Sequence, residues 1–174
     1  MYIGHVGAAL AAMCVRRRIG LGVLLLATYT PDWVDTGLCI EGVYNPMGML
    51  SHSIPAVLLF MLVGFAAYGA ATRDWTGALV IAAVILSHIF LDWITGYKPT
   101  WPGGPMIGLR LYDHPIADFV VEALVIVAGA LLYGRTLPPR RRPWVDVSIM
   151  VGALLALQLT IDVAHLLMKS IPKC

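Results

Sequence analysis

Residues 87–122 read Ser87-His88-Ile89-Phe90-Leu91-Asp92, then Trp-Ile-Thr-Gly-Tyr-Lys98-Pro-Thr-Trp101-Pro-Gly-Gly-Pro105, then Met-Ile-Gly-Leu-Arg110-Leu-Tyr-Asp113-His114-Pro115-Ile-Ala-Asp118-Phe-Val-Val-Glu122. The apolar run Gly77–Leu86 leads straight into His88 and Asp92, which are four residues apart and therefore share one helical face. After a loop dense in Gly and Pro, Pro115 opens a second apolar segment that carries Asp118 and Glu122 at the same spacing. Ionisable groups inside apolar helices are costly in lipid, and they pair, ligate a metal or line a pathway. This stretch predicts a polar site built into a membrane helix bundle.

The whole chain supports that setting. Of its 174 residues, 59% are hydrophobic and 13% charged, against about 25% charged in soluble domains. Six apolar segments follow: 1–15, 19–30, 54–71, 76–97, 115–134 and 143–168. The last four approach the ~20 residues needed to cross a bilayer, and the first two are short. The expected fold is all-α, a single domain over residues 1–174 forming a polytopic bundle of about five to six helices. The arginines follow the first apolar run instead of preceding it, so 1–15 reads as retained structure and not as a signal peptide. Cys14, Cys39 and Cys174 have no metal-ligand spacing. No Gly-rich phosphate cradle is present, and no nucleic-acid partner is expected.

Charge is sorted along the chain. If the segments alternate in direction, Arg16–Arg18, Arg73, Arg135 and Arg140–Arg142 share one membrane face, and only Lys98, Arg110, Lys169 and Lys173 fall on the other. That bias makes the arginine face cytoplasmic. All five histidines, and every acidic residue except Asp74 and Asp146, land in the opposite half. The polar cluster is accordingly expected at the extracytoplasmic interface of a plasma or inner membrane.

Imidazole and carboxylate together are the ligand set of zinc, and also of manganese or iron. The candidate ligands are His5, Asp32, Asp35, His52, His88, Asp92, Asp118 and Glu122, holding one to three divalent ions, with zinc the first expectation. A carboxylate among Asp35, Asp118 and Glu122 is the expected general base. Lys98 and Arg110 flank the central loop and suit an anionic headgroup. Each residue also has a purely structural reading. Asp32 and Asp35 can cap a turn after Pro31, and Ser51-His52-Ser53 can cap a helix. His88 and Asp92 can form a hydrogen-bonded pair, and Asp118 and Glu122 can complement a helix dipole. Asp162 and His165, three apart, read as support for the site.

The ordered set Gly4-His5, Pro31-Asp32-x-x-Asp35, His52-Ser53 and Leu86-Ser87-His88-x-x-x-Asp92 resembles the YdjM-like membrane-bound, metal-dependent hydrolases, also labelled LexA-binding inner-membrane hydrolases. That family is similar, distantly, to zinc-dependent phospholipase C, in which a His-x-x-x-Asp pair on one helix precedes a His-x-x-x-Glu pair on another. His88–Asp92 matches the first pair, and Asp118–Glu122 matches the second with Asp in place of His. The longer His-Arg-Gly-x-Thr-His-Ser form common in the family is reduced here to Ser51-His52-Ser53. The resemblance implies a metal-dependent hydrolase. Joined to the residues above, it predicts attack on an ester of a membrane lipid, above all a phosphoester, with the bilayer as surroundings and substrate source. Two other classes use the same residues: a divalent metal-ion transporter, or a non-catalytic scaffold packed through its polar cluster.

Overall fold

Proline and arginine punctuate the chain. The structure, a computed structural model, describes residues 2–43, 45–138 and 143–167. Its helices are α1 (Gly4–Val15), α2 (Leu21–Thr28), α3 (Thr30–Ile40), α4 (Ile54–Thr72), α5 (Trp75–Thr95), α6 (Pro115–Gly134) and α7 (Pro143–Leu167). Pro31, Pro55, Pro115 and Pro143 each stand in the first turn of a helix, where proline forfeits no intrahelical hydrogen bond. Arg73, left-handed at φ 58°, ends α4, and the Asp74 carboxylate accepts from the Gly77 N–H at 3.0 Å to start α5. Four helices, α4 to α7, are long and apolar enough to cross a membrane.

The bundle is all-α as expected, with one helix more than the apolar pattern outlined. Residues 30–40, which the apolar pattern leaves outside its segments apart from Thr30, form α3, which follows a break at Tyr29. The segment 101–105 joins a two-residue hairpin, β1 (Lys98–Pro99) against β2 (Met106–Ile107). This hairpin lies over the helix ends: Thr100 O accepts from the Ile54 N–H at 2.8 Å, and Trp93 O from the Leu109 N–H at 2.9 Å. Gly108, at φ 138°, passes so close to Gly96 that a Cβ there would lie 2.2 Å from its carbonyl oxygen.

Two apolar cores hold the helices together. One gathers Ala9, Leu24, Val57, Ile81 and Ile85 from α1, α2, α4 and α5, with Ile19 from the turn between α1 and α2. The other joins Leu10, Ala130 and Val147 across α1, α6 and α7. α1 lies on α6 backbone to backbone, because a Cβ at Gly129 would sit 2.0 Å from Gly7 O. Small residues permit such approaches between helices in lipid. Leu59, Leu62 and Val63 of α4 are 58–59% exposed, an apolar face that suits lipid and not water.

The two ends of the bundle differ in kind. Arg16 donates to both Asp74 oxygens at 2.9 and 3.0 Å, and Cys14 Sγ donates to Leu132 O at 2.7 Å. The arginine turns after α1, α4 and α6 are thereby brought to one end. The histidines and most carboxylates gather at the other.

Candidate metal centre

Five side chains from four places in the chain converge. His5 comes from the first turn of α1, Asp32 from the first turn of α3, and His52 from just before α4; His88 and Asp92 are one turn apart on α5. Nε2 of His5 lies 3.3 Å from Asp92 Oδ1, and Nε2 of His52 lies 3.1 Å from Asp32 Oδ1 and 3.5 Å from Asp92 Oδ2. Nε2 of His88 lies 3.5 Å from Asp92 Oδ2 and 3.7 Å from Asp32 Oδ1. The His5 and His88 rings stack at 4.0 Å between centroids. Two ligand-capable groups result, His5–His88–Asp92 and Asp32–His52–His88.

Hydrogen bonds on the far side of each ring decide what the near side offers. His88 Nδ1 donates to Thr28 O at 2.7 Å. Its proton is therefore on Nδ1, and Nε2 presents a lone pair to the centre. That Nε2 is fully buried and has no hydrogen-bond partner, a costly state for a polar atom unless something electrophilic occupies the space. His52 Nδ1 is 2.8 Å from Ser51 Oγ, which in turn donates to Asp35 Oδ1 at 3.3 Å. Asn45 Nδ2 donates to both Asp35 and Ser51, fixing this chain. His52 Nε2 donates to Asp32 Oδ1; a metal bound at Nε2 would move that proton to Nδ1, where Ser51 Oγ can accept it, the usual way of orienting a ligating imidazole.

Burial keeps His52 below the ordinary imidazole value and so neutral. Burial pushes the Asp32 carboxyl up, but the hydrogen bond from His52 and the neighbouring His88 outweigh it and leave the group below its usual value. Neutral imidazoles and ionised carboxylates are the forms that bind metal. The residues thus fit a divalent ion. Because His88 Nδ1 is committed to Thr28, the two groups share a single lone pair and describe one centre.

The remaining candidates take other places. Asp35, Asp118 and Glu122 belong to neither group. Asp35 orients His52 from behind. Glu122 accepts from the backbone N–H of Tyr2 at 2.7 Å and of Gly4 at 2.8 Å, while Gln158 of α7 accepts from the Ile3 N–H at 3.0 Å. The open N–H groups of α1 are thus capped by side chains of α6 and α7, and His5 is held in place. Lys98 Nζ is 3.5 Å from Asp92 Oδ2, and Arg110 stacks 4.6 Å over the Tyr97 ring. Lys98 borders two cavities. One, of about 390 Å³, opens onto Asp32 and Asp92; the other, of about 510 Å³, is lined by Asp35, Asn45, Arg110 and His165. Tyr112 borders both. Ser53 and His114 precede their helices, but neither side chain caps one.

Thr28, Ser51, Asn45 and Gln158 were not singled out as orienting groups. Gln158 and Asn45 did carry a signal, as the only Gln and Asn of the chain, the former inside an apolar helix. Thr28 orients His88 through its carbonyl, which no side-chain pattern can reveal.

No curated protein matches the chain, and no solved structure does. A family model described as YdjM inner membrane protein matches residues 1–165. That match spans all seven helices nearly end to end and takes in every member of the converging cluster. With four membrane-length helices and a polar centre at one end of them, the chain is an integral membrane protein that belongs to the YdjM inner membrane protein family.

Proposed function

We propose that this protein is a membrane-embedded, metal-dependent hydrolase that cleaves an ester, specifically a phosphoester, of a membrane lipid. The reading is carried by one observation: three imidazole Nε2 atoms and two carboxylates meet at a buried point beside an open cavity that also exposes Lys98. His5, His52, His88 and Asp92 would hold the ion, zinc by its preference for this nitrogen and oxygen set. A zinc ion there supplies Lewis acidity towards a phosphoryl oxygen and a bound water of lowered pKa.

The chain's own residues support the rest. Thr28 and the Ser51–Asp35 pair hold two rings in the ligating orientation. Lys98 and Arg110 present positive charge to an anionic headgroup from neighbouring walls. Asp32 is the most open of the clustered carboxylates, its side chain 41% exposed. It faces the cavity at the place where a proton from attacking water must be taken. Asp35 and Glu122 are committed to their own partners and Asp118 belongs to neither ligand group, so the general-base role falls to Asp32.

The depth of the centre suits a lipid substrate. The 12 residues of α1 rise ~18 Å from the arginine end, against a hydrocarbon layer of ~30 Å. His5 thus lies below the opposite boundary, where a headgroup can reach it from the bilayer itself. We place that boundary on the extracytoplasmic side, on the arginine bias.

The test is elemental analysis of detergent-purified wild type beside His88→Ala, followed by turnover of phospholipids and prenyl phosphates. The expected result is stoichiometric zinc in the wild type, lost in the variant together with lipid cleavage. Wild-type protein that takes up no divalent metal on reconstitution overturns the reading in favour of a scaffold.

A further inference from the structure

A second polar chamber lies beside the histidine centre, between α6, α7 and the residues ahead of α1. Tyr2, Tyr112, Pro115, Asp118, Asp162 and His165 line a cavity of about 20 Å³, room for one water or one ion. Asp118 is 2% exposed and Asp162 7%. Asp118 Oδ1 and Asp162 Oδ2 are both buried without a hydrogen-bond partner. The other Asp162 oxygen accepts from Gln158 Nε2 at 2.8 Å, and both Glu122 oxygens are taken by backbone N–H groups. Among the described residues no Lys, Arg or His lies within ion-pair distance of Asp118, Glu122 or Asp162. Neither Asp118 nor Asp162 belongs to the groups around His88.

A carboxylate oxygen withdrawn from water and given nothing in exchange is strongly unfavourable. Here two carboxylates that carry such oxygens, from two different helices, line one ion-sized space. A hard divalent cation matches that donor set: it takes oxygen ligands and is commonly held by one or two carboxylates. Thiolate is absent from the lining, and the one imidazole there has its Nδ1 2.8 Å from Tyr2 Oη. We propose that Asp118 and Asp162 bind a hard divalent cation of the Mg²⁺ or Mn²⁺ type, at a site separate from the histidine centre. This site stands on its own atoms, whether or not the histidine centre hydrolyses anything.

Manganese is the probe, because its free form is read directly by electron paramagnetic resonance. Wild type, His88→Ala, Asp118→Asn and Asp162→Asn are each titrated with Mn²⁺ in detergent. Asparagine at position 162 keeps an acceptor oxygen for Gln158, so that variant leaves the helix contact in place. Wild type and His88→Ala should both show a binding event that Asp118→Asn and Asp162→Asn weaken by about tenfold or more. Binding that disappears in His88→Ala and survives in Asp162→Asn would assign the ion to the histidine centre and overturn the proposal. No binding to wild type would overturn it as well, leaving a water or a shared proton between the two carboxylates.

Discussion

Glu122 illustrates how much a side chain's role depends on what it faces. Its spacing from Asp118 marks a polar face on an apolar helix, and from that it reads as a ligand. In the structure its two oxygens close the backbone of α1, accepting from Gly4 across a separation of 118 residues. A Glu122→Gln change keeps the shape but turns an amide NH₂ towards one of those N–H groups. It should cost about 1–3 kcal/mol of stability, the penalty for a buried donor left unmet. Metal affinity should fall too, since His5 rides on the same turn. Thermal unfolding and metal titration of the variant check both effects, and an unchanged unfolding temperature would refute the cap. His88 and Asp92, by contrast, were legible as a pair, because one helical turn brings i and i+4 together whatever surrounds them.

Among the elements, the turn between α4 and α5 is held at the arginine end by Asp74. Hydrogen bonds from Arg16, and then from the Gly77 N–H, hold its carboxyl below the ordinary value. The folded protein therefore takes up this proton less readily than the unfolded chain. The pair's contribution is present in full above the unfolded carboxylate value of about 3.9 and is lost as pH falls through the lower folded value. Unfolding measured down a series of acid pH values should show this loss in wild type and not in Asp74→Asn. Helix α3 escaped the sequence reading for a local reason. Pro31 after an apolar segment suggests a turn, yet proline in a first turn is compatible with a helix.

For the molecule as a whole, the separation of arginine from histidine and carboxylate is the feature with the widest consequence. One end ties two turns together through the Arg16–Asp74 pair, and the other gathers the candidate centre and the Asp118–Asp162 chamber. On the arginine bias, the arginine end is expected on the cytoplasmic side. A cysteine at the exposed His114 should react with a membrane-impermeant maleimide in intact cells, above the labelling of the parent chain. One at the exposed Arg73 should react only after permeabilisation; the reverse pattern would put the candidate centre on the cytoplasmic side. The sequence by itself determined the helical membrane fold, the sorting of charge between its ends and the set of residues from which the cluster is drawn. Hydrophobic length, helical period and alternation of direction are properties of chain order, so those features need no coordinates. Only the tertiary structure decided which carboxylates meet the imidazoles, which ones close the backbone of α1, and which nitrogen of His88 points inward. Those outcomes depend on backbone carbonyls and N–H groups that every residue carries alike, and only packing brings a particular one within reach.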